Sequence, residues 1–522
     1  MKKRLILILT ASLLVLPSSC TRPAPVSEND GPVFKIEGEL PDIGEYSGKE
    51  TVKYHKNASD DFVPDESYGV LVPFFGRSKQ FDGESFGADI KMTYSSQGLC
   101  TQDGQIVLSP INGYVSYNDY YAEFPYYEIT PYTDETAEMM MQGDSVILPT
   151  DGSFKLDLSA GSWICGVGDG IISVLESDPE TYGFHGLVCY DYKGNKLFEV
   201  PGVWSAGGFS HGYCNVNIGE DEQNACYIDK SGKVVSKKYQ NCSYFNEHGI
   251  AYVSEYNGKA YLIDSDLNRI SDIYDTIYFY SDDYITARGI GFSDVFSTDG
   301  KLIASIPVSG FVNVYGSGDD ILYSYYDENG VEVYKKTDGT PFVNEKGQSP
   351  EIYTPVQGYY MHNDEEKNVQ SLFDAKGKII AELQRCQSVI SVLDEEKLII
   401  YTRGSYDFDD FVDGRPVYTD PIKTIIYDFE NKKEVAVFDG QGGVYPAGYD
   451  ERYYILSVYE DYDFGGATKY YLFDTKTQSF VLSDCLMIEY YDVGDGFFAV
   501  ATDSFCTLYD AELKKVLRLI NE

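Results

Sequence analysis

Cys189-Tyr190-Asp191-Tyr192-Lys193-Gly194-Asn195-Lys196-Leu197-Phe198 and Cys226-Tyr227-Ile228-Asp229-Lys230-Ser231-Gly232-Lys233-Val234-Val235 share one pattern. Apolar or aromatic residues lead into an Asp, a Gly follows three positions later, and apolar residues resume. Asp hydrogen-bonds the backbone two residues on, and Gly takes the positive φ that closes a tight loop. Each stretch therefore reads as a hairpin turn between strands, whose β-branched and aromatic residues suit a pleated, half-buried surface.

The same unit recurs to both sides. Copies lie at Thr101-Gln102-Asp103-Gly104, Leu262-Ile263-Asp264-Ser265-Asp266-Leu267, Ser297-Thr298-Asp299-Gly300 and Asp374-Ala375-Lys376-Gly377, with looser ones at Asp151, Asp338, Asp428, Asp474 and Asp510. The first turn residues at 191, 229, 264, 297, 336 and 374 are 38, 35, 33, 39 and 38 apart, and the next interval is 54. Repetition of one hairpin with almost no helical stretch predicts an all-β fold in which each unit buries its face on the next. A β-propeller closes such units into a ring and hides their edges; an open β array is the alternative. Eleven markers exceed a common blade count, so either some blades carry two markers or the ring is large and irregular. The expectation is seven to ten blades.

A second repeated feature, Phe209-Ser210-His211-Gly212-Tyr213-Cys214 and Phe245-Asn246-Glu247-His248-Gly249-Ile250-Ala251, recurs after 36 residues. With Asn257-Gly258-Lys259-Ala260-Tyr261-Leu262-Ile263-Asp264, it resembles the WG-repeat proteins, strongly over 186–310 and in patches over 95–185 and 310–522. The namesake Trp-Gly pair is absent: Trp163 and Trp204 are the two tryptophans, and Ala260-Tyr261 stands where the pair would be. The resemblance implies a repeat β-fold and no particular chemistry.

Met1-Lys2-Lys3-Arg4, a dozen apolar residues from Leu5 to Leu16, and Pro17-Ser18-Ser19-Cys20 form an export signal over 1–19, too short to span a bilayer. Cys20 after two serines resembles a bacterial lipobox and is the expected lipidation site, although Pro17 occupies the place usually held by an aliphatic residue. Residues 20–62, mixed in Pro, Gly, Ser and charge without period, read as a tether. Residues 63–522 are the expected propeller domain. The implied location is the extracytoplasmic side of the cell membrane, held there by the lipid anchor.

The chain carries 41 Lys and Arg against 83 Asp and Glu, a net charge of −42. Loss of the signal removes three basic residues and leaves −45. A nucleic-acid partner requires clustered basic residues, and none is visible, so that class is excluded. Of the ten cysteines, nine besides Cys20 are scattered singly, without metal-ligand spacing. They read as buried thiols, with Cys214 and Cys226 placed to face one another across a hairpin.

No hydrolase elbow, phosphate loop or zinc-protease motif is present, and His55, His185, His211, His248 and His362 have no catalytic context. His211 and His248 precede Gly in equivalent repeats and read as turn residues. The acidic runs 406–414 and 460–466 supply oxygen donors, but neither follows a calcium loop, and they read as solvated loops. No catalytic residue, metal site or cofactor is therefore assigned. The 48 tyrosines suit strands and also supply ring faces for sugars and protein interfaces. The expected function is noncatalytic binding or scaffolding at the bacterial envelope, with an extracellular protein or glycan as ligand. The alternative is a propeller enzyme acting on an extracellular polymer, marked by inward carboxylates of raised pKa or an Arg cluster drawn from different blades.

Overall fold

The computed structural model describes residues 51–54 and 62–521, apart from 86–87, 112, 120–122, 132–144, 160, 178–182, 220–223, 280–283, 309, 317–320, 354–357, 365–366, 368, 385, 394, 413–414, 440–442, 449–451, 460–467 and 503–504. Among the described residues the regular structure is strand alone, arranged as eleven sheets of three to five strands. Each sheet is an antiparallel meander of consecutive stretches of chain, and the last one gains one added strand from residues 51–54. Blade 1 spans 71–111, blade 2 113–158, blade 3 163–201, blade 4 203–229, blade 5 241–263 and blade 6 276–306. Blade 7 spans 313–336, blade 8 352–384, blade 9 386–439, blade 10 443–485 and blade 11 487–521.

One hydrophobic cluster lies between each blade and the next. In blades 5 and 6, for example, Ala260 and Leu262 pack on Tyr274, Ile277, Ile285 and Phe296. The succession continues through all neighbouring pairs. The last cluster joins the chain's two ends, with Val72, Phe74, Phe75 and Cys100 of blade 1 against Phe497, Ala499, Leu508 and Leu517 of blade 11. Eleven sheets joined by eleven apolar seams form a closed circuit, and the fold is an eleven-bladed propeller.

The expected seven to ten blades are thus too few. Each sequence marker belongs to its own blade, where it forms the turn between the third and fourth strand positions. The error lay in allowing two markers to one blade.

The marker turns are built alike. Asp191 Oδ1 accepts the N–H groups of Lys193 at 2.9 Å and Asn195 at 2.8 Å. Asp229, Asp264, Asp374 and Asp510 hold the residues two and four positions on in the same way. The third residue after the Asp has positive φ, +77° at Gly194 and +84° at Gly377. Leu267 and Leu513 take that place at +63° and +59°, a strained position for a side chain with Cβ.

Blades 4 and 5 have three regular strands, and a less regular segment covers their outer edge through single bridges, Ala225 to Tyr239 and Ala260 to Tyr274. A serine completes the pairing there. Ser236 Oγ accepts the Tyr227 N–H at 2.9 Å, and 35 residues later Ser271 Oγ accepts the Leu262 N–H at 2.8 Å. Backbone donors that a fourth strand would pair are thereby satisfied.

Thr51–Tyr54, within the stretch read as tether, forms a strand parallel to Lys515–Asn521 at the outer edge of blade 11. Its β-branched Thr51 and Val52 and aromatic Tyr54 suit this pairing, and Phe62 also enters the apolar seam of blades 1 and 2. Residues 51–54 and Phe62, expected in the tether, thus belong to the propeller domain.

Candidate interaction face

In a four-position meander the first-to-second and third-to-fourth turns share one face of the ring. The second-to-third connections and the links between blades share the other. On the first face the first-to-second turns meet one another and the marker turns across neighbouring blades. The Gly212 N–H donates to Asp169 Oδ2 at 2.6 Å, and Lys230 Nζ lies 3.5 Å from the same oxygen. Asn246 Nδ2 donates to the Thr298 carbonyl at 2.8 Å. His211, at φ +54°, bonds Ser210 through Nδ1 at 3.0 Å and lies against Gly249 of the next blade. His248 donates its backbone N–H to Asn246 Oδ1 at 3.0 Å. Both histidines are turn residues, and this face is fastened by short, mutually bonded loops.

The opposite face is built differently. Two antiparallel ribbons rise on it, Leu71–Ser85 with Ala88–Thr101 in blade 1 and Leu398–Val412 with Arg415–Asp428 in blade 9, with strands of 15 and 14 residues in each case. A strand such as Tyr284–Gly289 has six. The excess of eight or nine residues corresponds to about 25–30 Å of additional strand at roughly 3.3 Å per residue.

Exposed aromatic rings lie on this same face. Trp163 is 48% exposed where blade 3 begins, Tyr256 52% in the connection of blade 5, and Tyr326 62% at that of blade 7. Phe311, 47% exposed, sits in the link from blade 6 to blade 7. Its ring centroid is 5.2 Å from that of Tyr278, and the Arg288 guanidinium lies over it at 4.9 Å. Arg288 stands opposite Thr276 in the sheet and donates to its Oγ1 at 3.3 Å.

The neighbouring acid, Asp275, is paired with Lys259 instead. Arg403 and Arg452 both hold carboxylates. Among the described residues Arg288 is within ion-pair distance of none, although the chain holds 83 acids against 41 bases.

The acidic groups with raised pKa lie elsewhere. Burial raises the carboxyls of Glu128, Glu489 and Asp492 above their ordinary values. They come from blades 2 and 11 and flank the ring closure. Glu489 accepts from Tyr491 Oη, and Gln97 Nε2 reaches Glu489 Oε2 and Tyr491 Oη, each at 3.4 Å. Gln97 is buried and its Oε1 accepts the Val115 N–H at 2.7 Å. One blade-1 amide thus bonds to blades 2 and 11. This group reads as a fastening of the ring.

The described cysteines are free thiols, and all but Cys165 are buried. Cys226 stands opposite Val216, two residues from Cys214, so the hairpin leaves Cys214 and Cys226 on a diagonal without a disulfide. Burial pushes Cys189 and Cys242 up to about 12, which keeps them as thiols. Cys20, His55, the run 460–466 and residues 413–414 lie outside the described residues, and residues 406–412 lie on the blade 9 ribbon outside the described side chains. The Arg288–Phe311 pairing escaped the sequence reading because Arg288 lies on the second strand of blade 6 and Phe311 in the link that leaves that blade, with two further strands of the blade between them in sequence. An arginine near strand-rich aromatics was the one signal available.

No family model matches the chain, and no curated protein matches it. Among solved structures it is similar to a eukaryotic initiation factor, with 11% identity, 68% of this chain and 95% of that one covered, and a TM-score of 0.37. It is similar also to BamB from Moraxella catarrhalis, with 11% identity, 58% and 89% covered, and a TM-score of 0.28. A third is the C-terminal WD40 domain of Sif2, with 8% identity, 56% and 90% covered, and a TM-score of 0.25.

Proposed function

We propose that this chain is a noncatalytic binding or scaffold protein of the bacterial envelope, exported by residues 1–19, lipidated at Cys20 and related in repeat architecture to the WG-repeat proteins. It engages an extracellular protein or glycan through the face that bears the ribbons. The observation that carries this reading is the asymmetry of the ring. One face is fastened by short bonded turns, and the other presents Trp163, Tyr256, Phe311 and Tyr326 to solvent. Exposed aromatic side chains give a binding surface large contact area at low conformational cost.

The test is thermal unfolding of the purified chain against envelope extracts and a glycan panel, with and without calcium. A ligand that binds the folded state raises the melting temperature by mass action. A saturable rise that Tyr256→Ala and Tyr326→Ala remove supports the reading. A rise that these substitutions leave intact places binding elsewhere. Anchoring is tested separately by incorporation of labelled fatty acid, which Cys20→Ser abolishes if the lipid is carried there.

A further inference from the structure

We propose that Arg288, Phe311, Tyr278 and Thr276 form a subsite for an uncharged, hydroxyl-rich sugar ring. The inference rests on the reading of this face as the binding face and names the chemistry of one ligand. Phe311 offers nearly half of its surface to solvent, and Tyr278 meets it at a tilt of 53°, so the two rings make an open apolar corner between blades 6 and 7. The C–H face of a pyranose stacks on such rings.

Beside them Arg288 presents a planar array of five N–H donors, and among the described residues Thr276 Oγ1 is the one acceptor that takes from it. Asp275, beside Thr276, is held by Lys259, and Asp294, opposite Ala287, accepts from Tyr274 Oη. The guanidinium keeps donors for an outside acceptor, and adjacent ring hydroxyls fit its fork.

The charge of the whole chain selects among acceptors. At −42 the protein repels anionic polymers at long range, so uronate chains and acidic peptides approach against the field. A neutral sugar approaches without that opposition, and its hydroxyls still accept hydrogen bonds from the guanidinium. Loss of either the ring or the fork removes one of two complementary contacts.

The experiment is calorimetric titration of the purified full chain with four soluble uncharged polysaccharides, an α-glucan, a β-glucan, a mannan and a galactan. Polygalacturonate and polyglutamate serve as comparators. The expected result is saturable binding of at least one neutral polymer that changes little with added salt, and that Arg288→Gln and Phe311→Ala each weaken about tenfold or more, equivalent to roughly 1.4 kcal/mol. Circular dichroism and melting temperature of the variants establish that they fold. Failure of all four neutral polymers to bind overturns the proposal, as does wild-type affinity in both variants. Tighter binding of either anionic polymer through Arg288 also overturns it and identifies a carboxylate ligand. Should Tyr256→Ala and Tyr326→Ala abolish binding of another partner while neutral sugars fail, the face reading stands and the sugar subsite alone falls.

Discussion

The side-chain carbonyl of Gln97 accepts the backbone N–H of Val115 at 2.7 Å, which joins blade 1 to blade 2 beside the point where the ring closes. The same amide reaches Glu489 and Tyr491 of blade 11. Gln97→Leu strands a buried N–H and removes a donor from Glu489. The expected loss is about 2–3 kcal/mol, measured by urea unfolding. Gln97→Glu keeps the acceptor for Val115 but sets a second carboxyl beside Glu489, so its loss is greater at pH 7 than at pH 5.

Glu489 supplies a pH test with a definite sign. Burial raises its folded pKa above the ordinary 4.5, so the uncharged acid is favoured in the folded protein. The stability it confers is fully present below 4.5 and is lost as pH rises through the folded value. Glu489→Gln removes this dependence. The difference in unfolding free energy between wild type and variant should therefore shift toward the variant as pH rises from 4 to 8, and a flat difference contradicts the assignment.

The marker turns titrate in the opposite sense. Bonds from the Asn195 side chain and from backbone N–H groups hold the Asp191 carboxyl below its ordinary 3.8. Its contribution is present above 3.8 and disappears as pH falls through the lowered folded value. Asp191→Ala should cost about 0.5–1 kcal/mol at pH 7. Asp191→Asn should cost less, because Asn246 and Asn344 hold the residues two and four positions on through their own Oδ1 atoms.

Close backbone packing predicts intolerance at the seam of blades 3 and 4. A Cβ on Gly166 would overlap the backbone of Gly208. Gly166→Ala should destabilise by about 2 kcal/mol or more, since neither backbone can yield as a side chain does. By contrast, Lys432 is exposed and sits at φ +55°. Lys432→Gly should stabilise by about 0.5–1 kcal/mol, the relief of left-handed strain less the added freedom of the unfolded chain.

The hairpin turns were legible because Asp and Gly act locally, and their chemistry is the same in every copy. Blade number was also present in the eleven markers, but only closure by the seam of Phe74 and Phe75 with Phe497 and Leu508 establishes one blade per marker. Ser236 and Ser271 resemble ordinary surface serines until the missing strand beside them is seen. The Arg288–Phe311 platform depends on the link from blade 6 folding back over that blade, and Gln97 on contact among three blades. Neither leaves a spacing rule in the sequence.

The most direct test of the face assignment is hydrogen–deuterium exchange with and without a bound partner. The account predicts slowed exchange at Tyr256, Thr276–Tyr278, Arg288 and Phe311, with the turns at 191–195, 229–233 and 264–268 unchanged. Protection confined to those turns, with no change around Arg288 and Phe311, would contradict it.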